Sequence, residues 1–185
     1  SGFLLGDHLK LQEVQLVESA LIEERQSVTL FEYEAVQLAE ALYGEAKGQP
    51  DDWPMITSAI YNRMFDNRWP DQFTQVLLYK CEINALCDNV TEDLSTEIGQ
   101  QALRFAEQVL VEMRTGTYVP VHTGHSWATP AAADGHAYFE SLCQVAEASG
   151  HKYFADCTLA PTVSLRPRVR PTDAERVAAS VARSS

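Results

Sequence analysis

Nowhere does the 185-residue chain carry an apolar run near the roughly 18 to 20 residues that cross a bilayer, so no helical membrane span is read from it. A secretory leader is also missing: "SGFLLGDHLKL" has neither a basic start nor a long apolar stretch. Ser1-Gly2 reads as a cloning scar, and the expectation is of a leader or anchor lost upstream of it. Basic residues are scarce, 14 against 26 acids, for a net charge of -12. The segment from Thr158 onward holds five arginines (Arg166, Arg168, Arg170, Arg176 and Arg183) against Asp173 and Glu175. Its local charge of +3 leaves -15 on residues 1–157. Such a body repels nucleic acid and anionic membranes, and a short basic tail does not reverse that. There is no internal repeat, no C-x-x-C and no standard zinc signature among the histidines, although His122 and His125 form an H-x-x-H. Neither a metal nor a cofactor is expected.

What is present suits one globular domain. Hydrophobic residues make up 45% and charged residues 22%, enough for a sizeable core in a chain of this length. Apolar positions at Leu9, Leu11, Val14, Leu16, Val17, Leu21 and Ile22 predict a helix over residues 8–28 that either packs on the domain or leads out of an anchor. A second helix is predicted over 31–47 through Ala35, Val36, Leu38, Ala39, Leu42, Tyr43 and Ala46, stopped by Gly48 and Pro50. Asp51 or Asp52 is placed to cap a third, with Pro54 in its first turn and Met55, Ile56, Ala59, Ile60 and Met64 on its buried side. Asp71 is read as the cap of a short helix through Phe73, Val76 and Leu77. A long helix is expected from about Ser95 to Arg114, with a seam of Ile98, Ala102, Phe105, Ala106, Val109, Leu110 and Met113. Residues 115–139 are rich in Gly, Pro and Thr and read as short strands and loops, with another strand near Tyr153. The fold class is therefore mostly helical (α+β), with a small irregular β part near the C-terminal end. The division is a helical extension over 1–30, a domain over 31–157, and a Pro/Arg-rich tail over 158–185 expected to be disordered.

Four cysteines, Cys81, Cys87, Cys143 and Cys157, fit two disulfides and an oxidising compartment, or else four buried thiols. The stretch "LAEALYGEAKGQP" sets Glu45 between Gly44 and Gly48 at a helix end. With apolar Leu42, Tyr43 and Ala46 beside it, this carboxyl is partly desolvated, which raises its pKa and keeps a proton for general acid chemistry. The two glycines leave room for a chain-like ligand. The bland alternative is a surface glutamate beside a helix stop. Asn62 and Arg63 end the third helix, where they bond a cleft floor or the preceding helix. Tyr43 and Trp127 are candidates to stack on sugar rings, or else are core. His122 and His151 read as strand-borne cleft polars, while Asp51, Asp52, Glu82 and Asp88 are candidate second carboxylates or else caps and loop charges.

Taken together, Gly44-Glu45-Ala46-Lys47-Gly48, Asn62-Arg63, Trp69-Pro70, Cys81 through Asp88, Val121-His122, Trp127 and Gly150-His151-Lys152-Tyr153-Phe154 resemble, in order and spacing, the SleB/CwlJ-type cell-wall hydrolases, the spore-cortex-lytic enzymes. The resemblance runs from about Phe31 to Cys157. It implies a lysozyme-like, mostly helical extracytoplasmic domain that cuts peptidoglycan glycan strands as lytic transglycosylases do, with Glu45 as acid and then base. Tyr43, Asn62, Arg63, His122, Trp127 and His151 would bind substrate. A water-using muramidase and an inactive peptidoglycan-binding module are the alternatives, and a membrane anchor or regulatory protein is a further expected partner. The chain departs from the family pattern at Gln49, where a second glutamate is common, at Lys47 for arginine, and at Glu82-Ile83-Asn84 for Gln-Phe-Ser.

Overall fold

The computed structural model describes residues 2–88 and 92–158. Helix α1 (Gly2–Glu45) is a single 44-residue rod rather than the two helices expected, because residues 24–34 contain no glycine or proline to interrupt it. A 3₁₀ turn over Pro50–Asp52 leads into α2 (Trp53–Arg63), and α3 (Phe73–Leu78) follows a loop. Two further 3₁₀ turns carry the first cysteine pair before α4 (Glu97–Thr115). Thr96 caps α4 by accepting from the Gly99 N–H at 3.1 Å, and Gly116 ends it at φ 72°.

The β part is smaller than its composition suggests. Strand β1 (Ser126–Ala128) precedes two short helices, α5 (Pro130–Ala133) and α6 (Ala137–Glu140), where strands and loops were expected. Thr129 caps α5 and Pro130 opens it, so local chemistry favoured a helical turn there. Strands β2 (Cys143–Glu147) and β3 (Lys152–Ala155) complete an antiparallel sheet of order β1-β3-β2, with Trp127 opposite Tyr153. Expectations for the tail from residue 159 onward fall outside the described residues.

The core forms where α1, α2, α3 and α4 meet the sheet, around fully buried Leu38, Leu42, Ile56, Ile60, Leu77, Leu110 and Tyr153. Disulfides join Cys81 to Cys87 and Cys143 to Cys157, which removes the free-thiol alternative. The second ties the start of β2 to the chain just beyond β3. Gln72, not Asp71, is the N-cap of α3, and Asp51 and Asp52 turn to the β2–β3 connection instead of capping α2.

Helix α1 divides by exposure. Ala35, Leu38, Ala39 and Leu42 are buried, whereas Leu9, Leu11, Val14, Leu16, Val17, Leu21 and Ile22 are all exposed. The first part of the rod therefore does not pack on the domain. Removing residues 1–28 is expected to leave the thermal midpoint of the remainder unchanged by circular dichroism. A fall of more than about 4 °C, worth about 1 kcal/mol or more, would show that the arm supports the core.

Candidate active site

Glu45 is the last residue of α1, at the negative end of the helix dipole, which disfavours a carboxylate. Its Oε2 accepts from the Trp127 Nε1–H at 3.3 Å, and the Ala85 N–H donates to the same carboxyl. Burial raises its pKa above the ordinary carboxylate range, opposed by the Trp127 bond, His151, the Ala85 bond and Arg63 in that order. The acid is half-buried at the surface. An apolar cavity of about 250 Å³ between α1, α2, α3 and α4 is lined by Glu34, Tyr61 and Leu110 among others, and Glu45 is not part of it.

Gly44 does not leave space for a ligand. A Cβ there would overlap the Ala85 Cβ, so the glycine admits the cysteine loop to the end of α1 and brings the Ala85 N–H to the acid. Gly48 has open space around it.

Arg63, at the end of α2, is 5% exposed. Its guanidinium lies between two indoles, 5.0 Å from the Trp69 centroid and 4.9 Å from that of Trp127. Its Nε donates to the His125 carbonyl at 2.6 Å, and Nη1 stands 2.9 Å from Glu82 Oε2, an ion pair without hydrogen-bond alignment. Glu82 Oε2 also accepts from Trp69 Nε1 at 3.2 Å. Burial pulls the guanidinium pKa below its ordinary value, with Glu82 the largest opposing influence.

On another side of the acid, Asp52 is fully buried. It accepts from the Tyr153 hydroxyl at 2.6 Å and the Gly150 N–H at 2.8 Å, and the His151 Nδ1 lies 3.4 Å away. Burial and the neighbouring Asp52 both push the Tyr153 hydroxyl pKa up. A Cβ at Gly150 would displace the tip of the Gln49 side chain and stand 3.0 Å from Asp52 Oδ2. The two aspartates thus tie the turn after α1 to the β2–β3 connection, Asp51 through Ser149 and Asp52 through Gly150.

The structure brings Trp127, Arg63 and His151 into the electrostatic surroundings of Glu45. Tyr43 is 3% exposed, with its hydroxyl 3.4 Å from Thr96, so its ring belongs to the core and cannot stack on a sugar. Asn62 donates to the His122 and Gly124 carbonyls at 2.9 and 2.8 Å, pinning that loop rather than a cleft floor or α1. His122 is likewise no cleft polar. Its Nε2 meets the Met55 carbonyl at 2.7 Å, Nδ1 accepts from Gly124 N, and burial lowers its pKa to about 4. Among the described residues no group of three or more His, Cys, Asp or Glu is placed to hold a metal ion. Trp69 and Tyr153, quoted only as parts of motifs, are the members of the site whose position no periodicity announced.

A raised Glu45 pKa means that the proton is held more tightly folded than unfolded. The associated stability is complete below the unfolded value and is lost as pH rises through the folded one. Glu45→Gln cannot ionise, so its stability relative to wild type should rise with pH, read from urea midpoints between about pH 4 and pH 8. A flat difference would mean an unperturbed carboxyl. Asp52→Ala, which strands the Tyr153 hydroxyl and the Gly150 N–H, should cost about 3 kcal/mol in the same measurement.

No protein-family model matches the chain, and no curated protein matches it. Two solved structures resemble it. The catalytic domain of the germination-specific lytic transglycosylase SleB from Bacillus anthracis is 19% identical with a TM-score of 0.48, over 66% of this chain and 94% of that one. The catalytic domain of the Bacillus cereus SleB protein is 20% identical with the same score, over 66% and 91%. At that distance the chain is similar to these domains, and no residue role is transferred from them.

Proposed function

We propose that this chain cleaves the glycan strands of peptidoglycan by a lytic transglycosylase-type reaction, with Glu45 as general acid and then base. The observation that carries the reading is a half-buried carboxyl, raised by desolvation, whose bonding partners are neutral N–H groups rather than a cation. Protonated Glu45 gives its proton to the bridging oxygen as the bond to the anomeric carbon breaks. The leaving strand departs as an alcohol, and positive charge develops at the anomeric centre. The Glu45 carboxylate then withdraws the proton from the sugar's own 6-hydroxyl, whose oxygen closes the anhydro ring. Proton and charge balance without water.

Three of the four candidate second carboxylates are engaged elsewhere, which supports the single-carboxylate form over a water-using muramidase. Asp52 is buried and bonded inward, Asp51 is taken by Ser149, and Glu82 is engaged by Arg63 and Trp69. Both disulfides suit an oxidising, extracytoplasmic setting.

Purified cell walls, assayed by turbidity loss and zymography, test the proposal. Glu45→Gln should reduce clearing by at least about 100-fold with the far-ultraviolet dichroism unchanged. Equal clearing by both proteins would reject the assignment, and no clearing by wild type would leave the binding-module reading. Mass spectrometry should find anhydro ends; reducing ends would favour the muramidase.

A further inference from the structure

The cysteine loop places a carboxylate that the proposed reaction does not use, and it does so against a cation stacked on the indole that bonds the acid. The indole of Trp127 is shared: its face lies on the Arg63 guanidinium and its N–H is donated to Glu45. A full positive charge is thus held one indole ring from a group that has to keep its proton. Left uncompensated, a buried cation at that range favours the ionised carboxylate. Glu82 lies 2.9 Å from Nη1 of the same guanidinium and accepts from the Trp69 indole, whose ring also lies against that guanidinium.

We propose that Glu82 is a positioning residue that neutralises Arg63 and so keeps the Glu45 proton in place, an inference that rests on the reading of Glu45 as the acid.

The loop is built to hold that carboxylate. Cys81 is bonded to Cys87, Ile83 is 1% exposed as an anchor on the core, and Lys80 and Cys81 adopt left-handed backbone at φ 50° and 54°. Residues other than glycine accept that conformation only when their surroundings impose it. Other charged groups near the pair have counter-charges of their own: His125, beside Arg63, lies 3.4 Å from Asp156, and Glu92, beside Gly44, pairs with Lys47. Arg68 pairs with Asp66 and Asp156, and His151 is backed by Asp52, whose carboxylate also takes the Tyr153 hydroxyl. Tyr138 faces Arg63 as well, with its hydroxyl bonded to Ser126.

The test is a carbon-13 titration of the Glu45 carboxyl in the full chain, assigned by its loss in Glu45→Gln, for wild type and for Glu82→Gln. That variant keeps the shape and hydrogen-bonding capacity of a half-exposed side chain, so the fold is retained. The Glu45 midpoint should fall by about one pH unit, and the alkaline limb of the wall-clearing profile should move down with it. Glu82→Asp, which returns the charge on a shorter stem, should shift the midpoint back towards wild type. An unmoved midpoint in folded Glu82→Gln, or a lowered thermal midpoint with no pH shift, would overturn the inference. The titration reads the carboxyl whether or not walls are cleared, so failure of the wall assay alone would count against the proposed function and not against the role of Glu82.

Discussion

Burying the Arg63 guanidinium at 5% exposure obliges the chain around it to supply acceptors, a counter-charge and ring faces, since an unmatched cation there would cost several kcal/mol. Those demands recruit four separate segments. The 122–125 loop gives a carbonyl, the cysteine loop gives Glu82, the loop after α2 gives Trp69, and β1 gives Trp127. Arginine suits the position because its planar fork stacks and donates at once, which lysine cannot do. Much of what surrounds Glu45 is arranged as a consequence of housing this neighbour.

The opposite flank obeys a different constraint. Asp52 is fully buried and bonded to a hydroxyl and a backbone N–H, so the turn after α1 is held to the β2–β3 connection by polar contacts inside the molecule. Such contacts are costly to leave half-made, and they specify one arrangement of the sheet against the helices. The disulfide from Cys143 to Cys157 closes the same small sheet covalently. Between these two anchorages the end of α1 has little freedom, and the carboxyl it carries is held within a defined setting.

The helices and their buried faces were legible because apolar spacing records which side meets the core, as the seam of α4 and the inner face of α2 illustrate. The partial burial of Glu45 was legible from its apolar neighbours. Partners were not. Gly44 announces a missing side chain but not that Ala85 fills the space. Asp52 before Pro54 has the pattern of a cap, and only the folded chain supplies the Tyr153 hydroxyl that claims it instead. "CQVAE" is too short to declare itself a strand without β3 beside it. Tyr43 and His122 look like surface chemistry by residue type, and burial decides otherwise.

Helix α1 joins the acid to its own far end without a break. At 1.5 Å per residue the rod is about 65 Å long, and its two ends cannot turn independently without severing main-chain hydrogen bonds. The carboxyl therefore stands at one tip of a stiff lever. A load on the exposed arm near Leu9 therefore bears on the same helix axis whose other end is seated in the core and carries the acid.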